Sequence, residues 1–315
     1  MPVVRFCREW HVRPWAVSNQ STGTVLSLQF TKMHGLGNDY IYIDAISQDL
    51  SPYNLEKLAA VLSDRHFGIG GDGIIVIAAS EQHDFTMRIF NSDGSEAEMC
   101  GNGIRAFAKY VYEYGLTDKT SLCIETKAGI IKPTLQVQGG VVSLVRVDMG
   151  PPRLTRAEIP MSGEPAGEPV IGEELKVGET TFEVTCVSMG NPHCVIFVDD
   201  ITDELVLGYG AQIEHHPAFP RRTNVEFVQV LGEHEARMRV WERGAGETLA
   251  CGTGASAATV AAILNGHCTD AVKMHLRGGE LGIQWREGGN VFLTGPAAEA
   301  FSGTVHPSLL RQVQE

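Results

Sequence analysis

Two cysteines stand in the same local setting. Cys100 begins Cys-Gly-Asn-Gly and Cys251 begins Cys-Gly-Thr-Gly, and an alanine-containing, proline-free stretch follows each of them. Such stretches predict helices, so both cysteines are expected at helix starts. There the helix dipole and unpaired backbone N–H groups lower the pKa of a thiol. The same N–H groups bind carboxylates, so the sequence predicts two reactive thiols beside carboxylate sites.

Paired thiols of this kind suit the inversion of a carbon centre. An α-carbon proton has to leave from one face and return on the other, which needs a base and an acid on opposite sides. A carboxylate held by helix N–H groups also stabilises the negative charge that develops when the proton leaves. No lysine and phosphate-cup pattern for pyridoxal phosphate accompanies the cysteines. We therefore expect chemistry without a cofactor.

An internal repeat relates the two cysteines. The segment MRIFN that begins at Met87 returns as MRVWE from Met238, an offset of 151 residues, and Cys100 and Cys251 are separated by the same offset. A second echo, at an offset of 153 residues, pairs Gly37-Asn38 with Gly190-Asn191. Self-similarity in register predicts a duplicated domain.

The elements that position these motifs are many short strands and few helices. This pattern predicts an α+β fold with two pseudo-symmetric halves, each a curved, mostly antiparallel sheet wrapped around a central helix. We expect an N-terminal extension over residues 1–28, a first half over 29–146 to which 299–315 return, and a second half over 147–298. Helices are predicted at Asn54–Leu62, Ile104–Tyr114 and Ala255–Leu264, and a surface excursion at Gly150–Gly178.

Composition excludes several classes of protein. The formal net charge of −13 disfavours nucleic acid and anionic membrane as partners, and no apolar run reaches the ~18 residues of a membrane span. Seven cysteines without a C-x-x-C pair argue against a disulfide framework and a zinc ribbon. Scattered histidines predict no metal site. A small-molecule partner and a reducing compartment remain.

One glycine motif invites a different interpretation. Gly68-x-Gly70-x-x-Gly73 matches the dinucleotide-binding fingerprint letter by letter. It precedes an apolar, strand-like run and opens no helix, which is the wrong order for a Rossmann turn. A turn beside the ligand or a purely structural turn is the better prediction.

Whole motifs make the sequence resemble the diaminopimelate epimerase family over about residues 28–305. The matching stretches are FTKMHGLGNDYIYID, NSDGSEAEMCGNGIRAFAKY, MGNPHCVIFVDD, RTNVEF and WERGAGETLACGTGASAA. The resemblance implies conversion of LL-diaminopimelate to the meso form in lysine and cell-wall biosynthesis. It also implies two cysteines as acid and base, no cofactor and a homodimer.

The same resemblance implies roles for individual residues. Cys100 and Cys251 would transfer the proton, and His193 and Glu242 would assist them. Substrate contacts would come from Asn38, Asn91, Gly101, Asn102, Asn191, Asn224, Glu242, Arg243, Gly252 and Thr253.

For some of these positions a structural role stays open from the sequence alone. Gly-Asn pairs favour turns, so Asn38 and Asn191 have a turn role as an equal alternative. Glu242 and Arg243 could form a surface ion pair, although their place shortly before Cys251 favours the site.

The chain departs from the family pattern in two places. Gly73 stands where some relatives have glutamine, which puts one substrate contact in question. Residues 1–28 precede the usual start and are a transit-peptide remnant, an over-long start or a plain extension. We expect a cytoplasmic protein.

Three other functions compete with this prediction. Proline-racemase-like and phenazine-isomerase-like enzymes are siblings with the same architecture, but they match the motifs poorly. A thiol hydrolase or transferase would use Cys251 with His193 as base, which leaves Cys100 unexplained. A binding module for amino acids would need no reactive thiols.

Overall fold

Two β-sheets form the framework of the computed structural model, which describes residues 27–98 and 100–313. The predicted N-terminal extension lies almost wholly outside the described residues, as do the last two residues of the returning C-terminal segment. The division of the chain into an extension and two halves that meet between residues 146 and 147 stays a prediction.

The first sheet has eight strands, which are β1 Leu28–Gly35, β2 Asn38–Asp44, β3 Gly73–Ala78, β4 Phe85–Asn91, β5 Glu96–Ala97, β6 Ile124–Thr126, β7 Gly129–Ile131 and β19 Ala298–Val305. They lie in the order β19-β1-β2-β3-β4-β6-β7, with β5 paired to β4. Most pairs are antiparallel, while β2 with β3 and β4 with β6 are parallel.

The second sheet has eleven strands, which are β8 Thr134–Gln138, β9 Val141–Asp148, β10 Val170–Val177, β11 Thr180–Ser188, β12 Pro192–Phe197, β13 Asn224–Gly232, β14 Glu235–Glu242, β15 Gly246–Glu247, β16 Ala271–Leu276, β17 Gly279–Gln284 and β18 Phe292–Gly295. They lie in the order β10-β11-β12-β13-β14-β16-β17-β18-β9-β8, with β15 paired to β14. The parallel pairs are β12 with β13 and β14 with β16.

Each sheet curves around one long helix. Helix α2, Gly101–Glu113, packs Ile104, Phe107 and Val111 against the first sheet, and all three side chains are buried. Helix α4, Gly252–Leu264, is alanine-rich and buried along nearly its whole length, because the second sheet closes around it. Small alanine side chains let the strands approach that helix closely.

Shorter helices cover the outer faces of the sheets. Helix α1, Leu55–Ser63, inserts Leu58 and Leu62 into a separate core behind the first sheet. A π-helical turn at Glu204–Tyr209 and α3, Gly210–Glu214, do the same for the second sheet. Helix α5, Pro307–Leu310, follows β19. Each half is therefore layered as central helix, sheet and outer helix.

The duplication is confirmed in three dimensions. Helices α2 and α4 have the same length and are related by the same offset of 151 residues as the two cysteines. Equivalent ion pairs join the strand before each cysteine to its short partner strand, Arg88–Glu96 at 2.8 Å and Arg239–Glu247 at 2.7 Å. The predicted fold class, with two such halves, is confirmed.

Two regions differ from the sequence-based prediction. The excursion at Gly150–Gly178 is not wholly on the surface, since it ends in the edge strand β10 and buries Ile159 completely. Strands β8 and β9 hydrogen-bond into the second sheet, yet Leu135 and Val142 pack with α2 in the core of the first half. This hairpin therefore connects the two halves.

Among the described residues, no helix combines the length and the apolar character needed to cross a bilayer.

The core around α2 leads to a stability prediction. Phe107 is fully buried and packs edge-on against Phe85, with ring centroids 6.2 Å apart. Phe107→Ala should lower the free energy of unfolding by about 3–5 kcal/mol, because the lost contacts leave a cavity. The matched control is Phe67→Ala, at a side chain that is 84% exposed, where the change should stay below ~0.5 kcal/mol. Chemical denaturation measures both, and equal losses would contradict this packing.

Candidate active site

Both cysteines are the N-caps of the central helices. Cys100 and Cys251 have extended backbones, with φ of −139° and −123°. The Cys100 sulfur accepts the backbone N–H of Gly103 at 3.2 Å, and the Cys251 sulfur accepts that of Gly254 at 3.3 Å. Serine, threonine, aspartate or asparagine usually makes this contact, so a thiol takes over the capping role here. The helices begin three residues earlier than the sequence predicted.

The second glycine of each motif is required by this contact. A Cβ on Gly254 would lie 2.7 Å from the Glu226 Oε1 and 3.2 Å from the Cys251 sulfur. A Cβ on Gly103 would lie 2.7 Å from Ile75 Cδ1 and 3.3 Å from the Cys100 sulfur. Glycine therefore allows each sulfur to lie over the first turn of its helix.

The two helix N-termini meet at one cavity of about 1020 Å³, which both halves line. Asn102 Nδ2 in the first turn of α2 lies 3.5 Å from the carbonyl oxygen of Ala250, just before α4. Eight of the predicted contacts line this cavity beside the two cysteines, namely Asn38, Gly101, Asn102, Asn191, Glu242, Arg243, Gly252 and Thr253. The duplicated motifs thus converge on a single site.

Three predicted site residues lie outside the cavity lining. Asn91 ends β4 and donates its amide to Ser95 Oγ at 3.0 Å. Asn224 is buried, donates to the Pro192 carbonyl at 2.7 Å and accepts the Arg243 N–H at 2.9 Å. The third, His193, lies behind Asn191. Asn224 positions the Arg243 backbone, while the side-chain hydrogen bond of Asn91 stays within its own turn.

The two glycine-asparagine turns carry pocket residues. Gly37 and Gly190 both have a left-handed backbone, with φ of +93° and +100°, which favours glycine there. Asn38 then directs its Oδ1 to the Cys100 sulfur at 3.4 Å, while its Nδ2 donates to Asp72 Oδ2 at 2.7 Å. The turn role and the pocket role, left as alternatives by the sequence, are therefore combined at Asn38.

In the second half a hydrogen-bonded chain leads from a buried carboxylate to the thiol. Glu226 Oε1 lies 2.7 Å from His193 Nδ1, and His193 Nε2 lies 3.0 Å from Asn191 Oδ1. The Asn191 amide donates to Thr253 Oγ1 at 3.3 Å, which lies 3.5 Å from the Cys251 sulfur. His193 and Glu226 are both fully buried, so they orient the groups in front of them.

Glu242 and Arg243 do not bond each other. The Thr248 hydroxyl donates to the Glu242 carboxylate, and Arg243 Nη1 donates to the carbonyl oxygen of Arg221 at 3.2 Å. Both side chains line the cavity. The surface ion pair considered from the sequence is therefore wrong.

Burial reverses the predicted direction of the thiol pKa values. Burial raises the pKa of Cys251 well above its ordinary value, and the negative charges of Glu242 and Glu226 raise it further. Burial also raises the pKa of Cys100, opposed by the Gly103 N–H, the Tyr40 hydroxyl and the Arg105 cation. The pKa of Glu242 is raised, mainly by burial. The helix N–H groups act as predicted, but desolvation outweighs them without substrate.

Sequence reasoning missed four residues around the thiols. Tyr40 and Asp72 line the cavity, Glu226 lies behind Cys251, and Arg105 is fully buried in α2. The sequence contains a signal for two of these residues, Asp72 and Glu226. Asp72 belongs to the rejected glycine motif, and Glu226 is a charge inside the apolar strand that follows Asn224.

The fold of the chain is that of several solved epimerase and isomerase structures. A hydroxyproline epimerase from Agrobacterium vitis superposes with a TM-score of 0.64 at 14% identity, covering 89% of this chain and 92% of that one. A phenazine biosynthesis protein of the PhzF family from Bacillus anthracis gives 0.62 at 16% identity, covering 89% and 99%. At such identities the likeness shows a shared two-lobed fold.

Sequence comparison is more specific. The family model for diaminopimelate epimerase matches residues 30–155 and 185–299. Curated diaminopimelate epimerases are similar at 55% identity in Pelotomaculum thermopropionicum and 56% in Moorella thermoacetica, each covering 88% of this chain and 98% of the relative. The chain belongs to the diaminopimelate epimerase family and is therefore an isomerase.

The capping geometry predicts the effect of one methyl group. Gly254→Ala should lower kcat by about a hundredfold, because the new Cβ displaces the Cys251 sulfur from the helix N-terminus. Gly208→Ala is the matched control, since a Cβ there meets nothing closer than Glu204 Cγ at 3.9 Å. Steady-state kinetics compare the two variants. Full turnover by the Gly254 variant would show that the sulfur position is not critical.

Proposed function

We propose that this protein converts LL-diaminopimelate to meso-diaminopimelate without a cofactor, by moving the α-proton between Cys100 and Cys251, as a step of lysine biosynthesis. The observation that carries the proposal is the pair of helix-capping thiols, one from each half, at a single cavity. Membership of the family supports the substrate and the pathway.

The first step is to hold the reacting carboxylate. Backbone N–H groups at residues 101–102 of α2 and 252–253 of α4 have no acceptor one turn earlier within their helices, because each helix begins there. An anion is stabilised at such ends by the N–H groups and by the dipole. A carboxylate between the two helix ends would place the α-carbon between the two sulfurs.

The proton then moves in a balanced exchange. The thiolate of one cysteine takes the α-proton and becomes a thiol, and the electron pair of the C–H bond delocalises into the carboxylate. The other thiol gives its proton to the opposite face of the α-carbon and becomes a thiolate. N–H groups aimed at the carboxylate stabilise the charge of the intermediate. The enzyme ends with the protonation of the two thiols exchanged.

The rest of the substrate needs polar partners as well. Diaminopimelate carries a second amino-acid end, and the cavity offers the amides of Asn38 and Asn191, the carboxylate of Glu242 and the guanidinium of Arg243. A site that hydrogen-bonds both ends discriminates strongly against amino acids that lack one of them, because its polar groups would stay unpaired.

The thiol hydrolase alternative is disfavoured by His193. A hydrolase needs its histidine within hydrogen-bond reach of the cysteine. Both ring nitrogens of His193 are taken, Nδ1 by Glu226 and Nε2 by Asn191. The proposal therefore treats His193 and Glu242 as groups that assist the thiols. The cytoplasmic location and the homodimer implied by the resemblance stay predictions.

Replacement of single cysteines tests the two-thiol reaction. Cys100→Ala and Cys251→Ala should each lower the turnover of LL-diaminopimelate by about 10⁴-fold, since each removes an obligatory acid or base. Cys123→Ala and Cys268→Ala serve as controls, because neither residue lines the cavity. Chiral chromatography of the product measures all four variants. Wild-type turnover by either catalytic variant would exclude the mechanism.

The dependence on pH follows from the charges near Cys251. The reaction needs one thiolate and one thiol, so activity should rise with pH as the first thiolate forms and fall as the second thiol ionises. Because Glu242 raises the pKa of Cys251, Glu242→Gln should move the alkaline limb of kcat/KM to lower pH, by about one unit.

The exposed Glu235 offers a control for this experiment, since it belongs to the same half and pairs with His275 on the surface. Glu235→Gln should leave the alkaline limb in place. An alkaline limb that stays at the same pH or moves to higher pH in the Glu242 variant would show that Glu242 does not act on the ionising thiol.

A further inference from the structure

Tyr40 occupies, in the first half, the place that His193 has in the second. In β2 it pairs with Gly73 of the neighbouring parallel strand, and in β12 His193 pairs with Asn224 in the same way. Gly73 and Asn224 are related by the repeat offset of 151 residues, like the two cysteines. The duplicated framework therefore presents a titratable ring behind each thiol.

Gly73 lies between the backbone of the neighbouring strand β4 and the Tyr40 ring. A Cβ at position 73 would collide with the Phe90 carbonyl oxygen and would lie 3.0 Å from Tyr40 Cε1. The Phe90 backbone is the main reason why glycine stands at this position, and the Tyr40 ring adds a second close contact. Tyr40 lines the cavity and is only 7% exposed.

Tyr40 and Cys100 line the same cavity, and the Tyr40 hydroxyl, as a hydrogen-bond donor, lowers the pKa of the Cys100 thiol. Asn38 Oδ1, 3.4 Å from the same sulfur, accepts a hydrogen bond from the S–H group and so suits the thiol form. The thiolate needs donors, and the Gly103 N–H supplies one at 3.2 Å. Burial raises the pKa of Tyr40 far above its ordinary value, so the hydroxyl keeps its proton and remains a donor.

The charged and titratable groups around the two sulfurs differ. Around Cys100 they are Tyr40, Tyr42 and the buried Arg105, with Asp72 and Glu98 on the cavity wall. Around Cys251 they are Glu242, Glu226 and His193, with Arg243 on the cavity wall. A cation thus lies near Cys100, whereas two carboxylates lie near Cys251. Each sulfur also has a hydroxyl as a neighbour, that of Tyr40 for Cys100 and that of Thr253 for Cys251.

We propose that Tyr40 is a further residue of the reaction, which donates its hydroxyl proton in a hydrogen bond to the thiolate of Cys100. The inference rests on the proposed function. When Cys100 takes the α-proton from the substrate, the new S–H turns to Asn38 Oδ1 and Tyr40 keeps its own proton. Tyr40 thereby favours Cys100 over Cys251 as the sulfur that ionises first.

Alkylation of each sulfur as a function of pH tests the proposal without substrate. Iodoacetamide reacts with the thiolate, and peptide mass spectrometry separates Cys100 from Cys251. In the wild-type protein the midpoint for Cys100 should lie below that for Cys251. Tyr40→Phe, which removes only the hydroxyl, should raise the Cys100 midpoint by about one pH unit and leave the Cys251 midpoint unchanged.

Tyr110→Phe is the matched control. It makes the same change in the same half, at a buried tyrosine that does not line the site, and it should leave both midpoints unchanged. An unchanged Cys100 midpoint in the Tyr40 variant, or equal shifts at both sulfurs, would overturn the proposal. A wild-type Cys100 midpoint at or above that of Cys251 would do so without any variant.

Kinetics separate this proposal from the proposed function. With LL-diaminopimelate, Tyr40→Phe should lower kcat about tenfold at neutral pH, restored in part at higher pH, with KM unchanged. A fall in kcat/KM that came only from a higher KM would overturn the proposal, since it would make Tyr40 a binding group. If the wild-type protein does not turn over this substrate, the proposed function fails, while the alkylation midpoints still decide the role of Tyr40.

Discussion

The contact between each cysteine sulfur and the backbone N–H of the residue three positions later is the constraint on which the site depends. It places a thiol at the N-terminus of each central helix, and it excludes a side chain at Gly103 and Gly254. The sheets curve around α2 and α4 and so fix the helix ends toward one cavity. Equivalent arginine–glutamate pairs hold the short hairpins before both cysteines.

The backbone is symmetric, but its electrostatics are not. Arg105 in α2 corresponds by the repeat to Ser256 in α4, and each donates to the carbonyl of the first helical residue, at 3.0 Å and 2.9 Å. Ile75 corresponds in the same way to Glu226; Ile75 lies against Gly103, and Glu226 lies against Gly254. The first half therefore has the cation of Arg105 where the second half has the hydroxyl of Ser256. The second half has the carboxylate of Glu226 where the first half has the methyl group of Ile75.

This inequality suits a reaction that needs one thiolate and one thiol. Two identical thiols in one buried pocket would compete for the same proton, and neither state would be preferred. The cation near Cys100 and the carboxylates near Cys251 favour one of the two arrangements before substrate binds. The two halves can then share a fold and still take different chemical roles.

Much of this arrangement could be predicted from the sequence, because the repeat and the Cys-Gly-x-Gly motifs are local patterns. The helix starts at Cys100 and Cys251 and most core strands follow from periodicity and spacing. Helix α3 is short and follows a π-helical turn, and β10 is an edge strand with few buried side chains, so neither has a clear periodic signal.

Properties that depend on packing could not be predicted from the sequence. The burial of His193, the place of Asn91 outside the cavity and the raised thiol pKa values follow from how the two sheets close. Tyr40 could be connected to His193 only through the pairing of parallel strands. Hydrogen-bond partners of this kind are set by tertiary structure, which a motif does not encode.

Exchange of the α-proton with solvent tests the central claim most directly. The reduced protein would be mixed with LL-diaminopimelate in D₂O without added cofactor, and early time points would be followed by NMR and chiral chromatography. Two opposed thiols predict meso product that carries deuterium at the inverted α-carbon, while the remaining LL substrate keeps its protium. Meso product that retains the original proton would indicate a single group acting on both faces and would contradict the account.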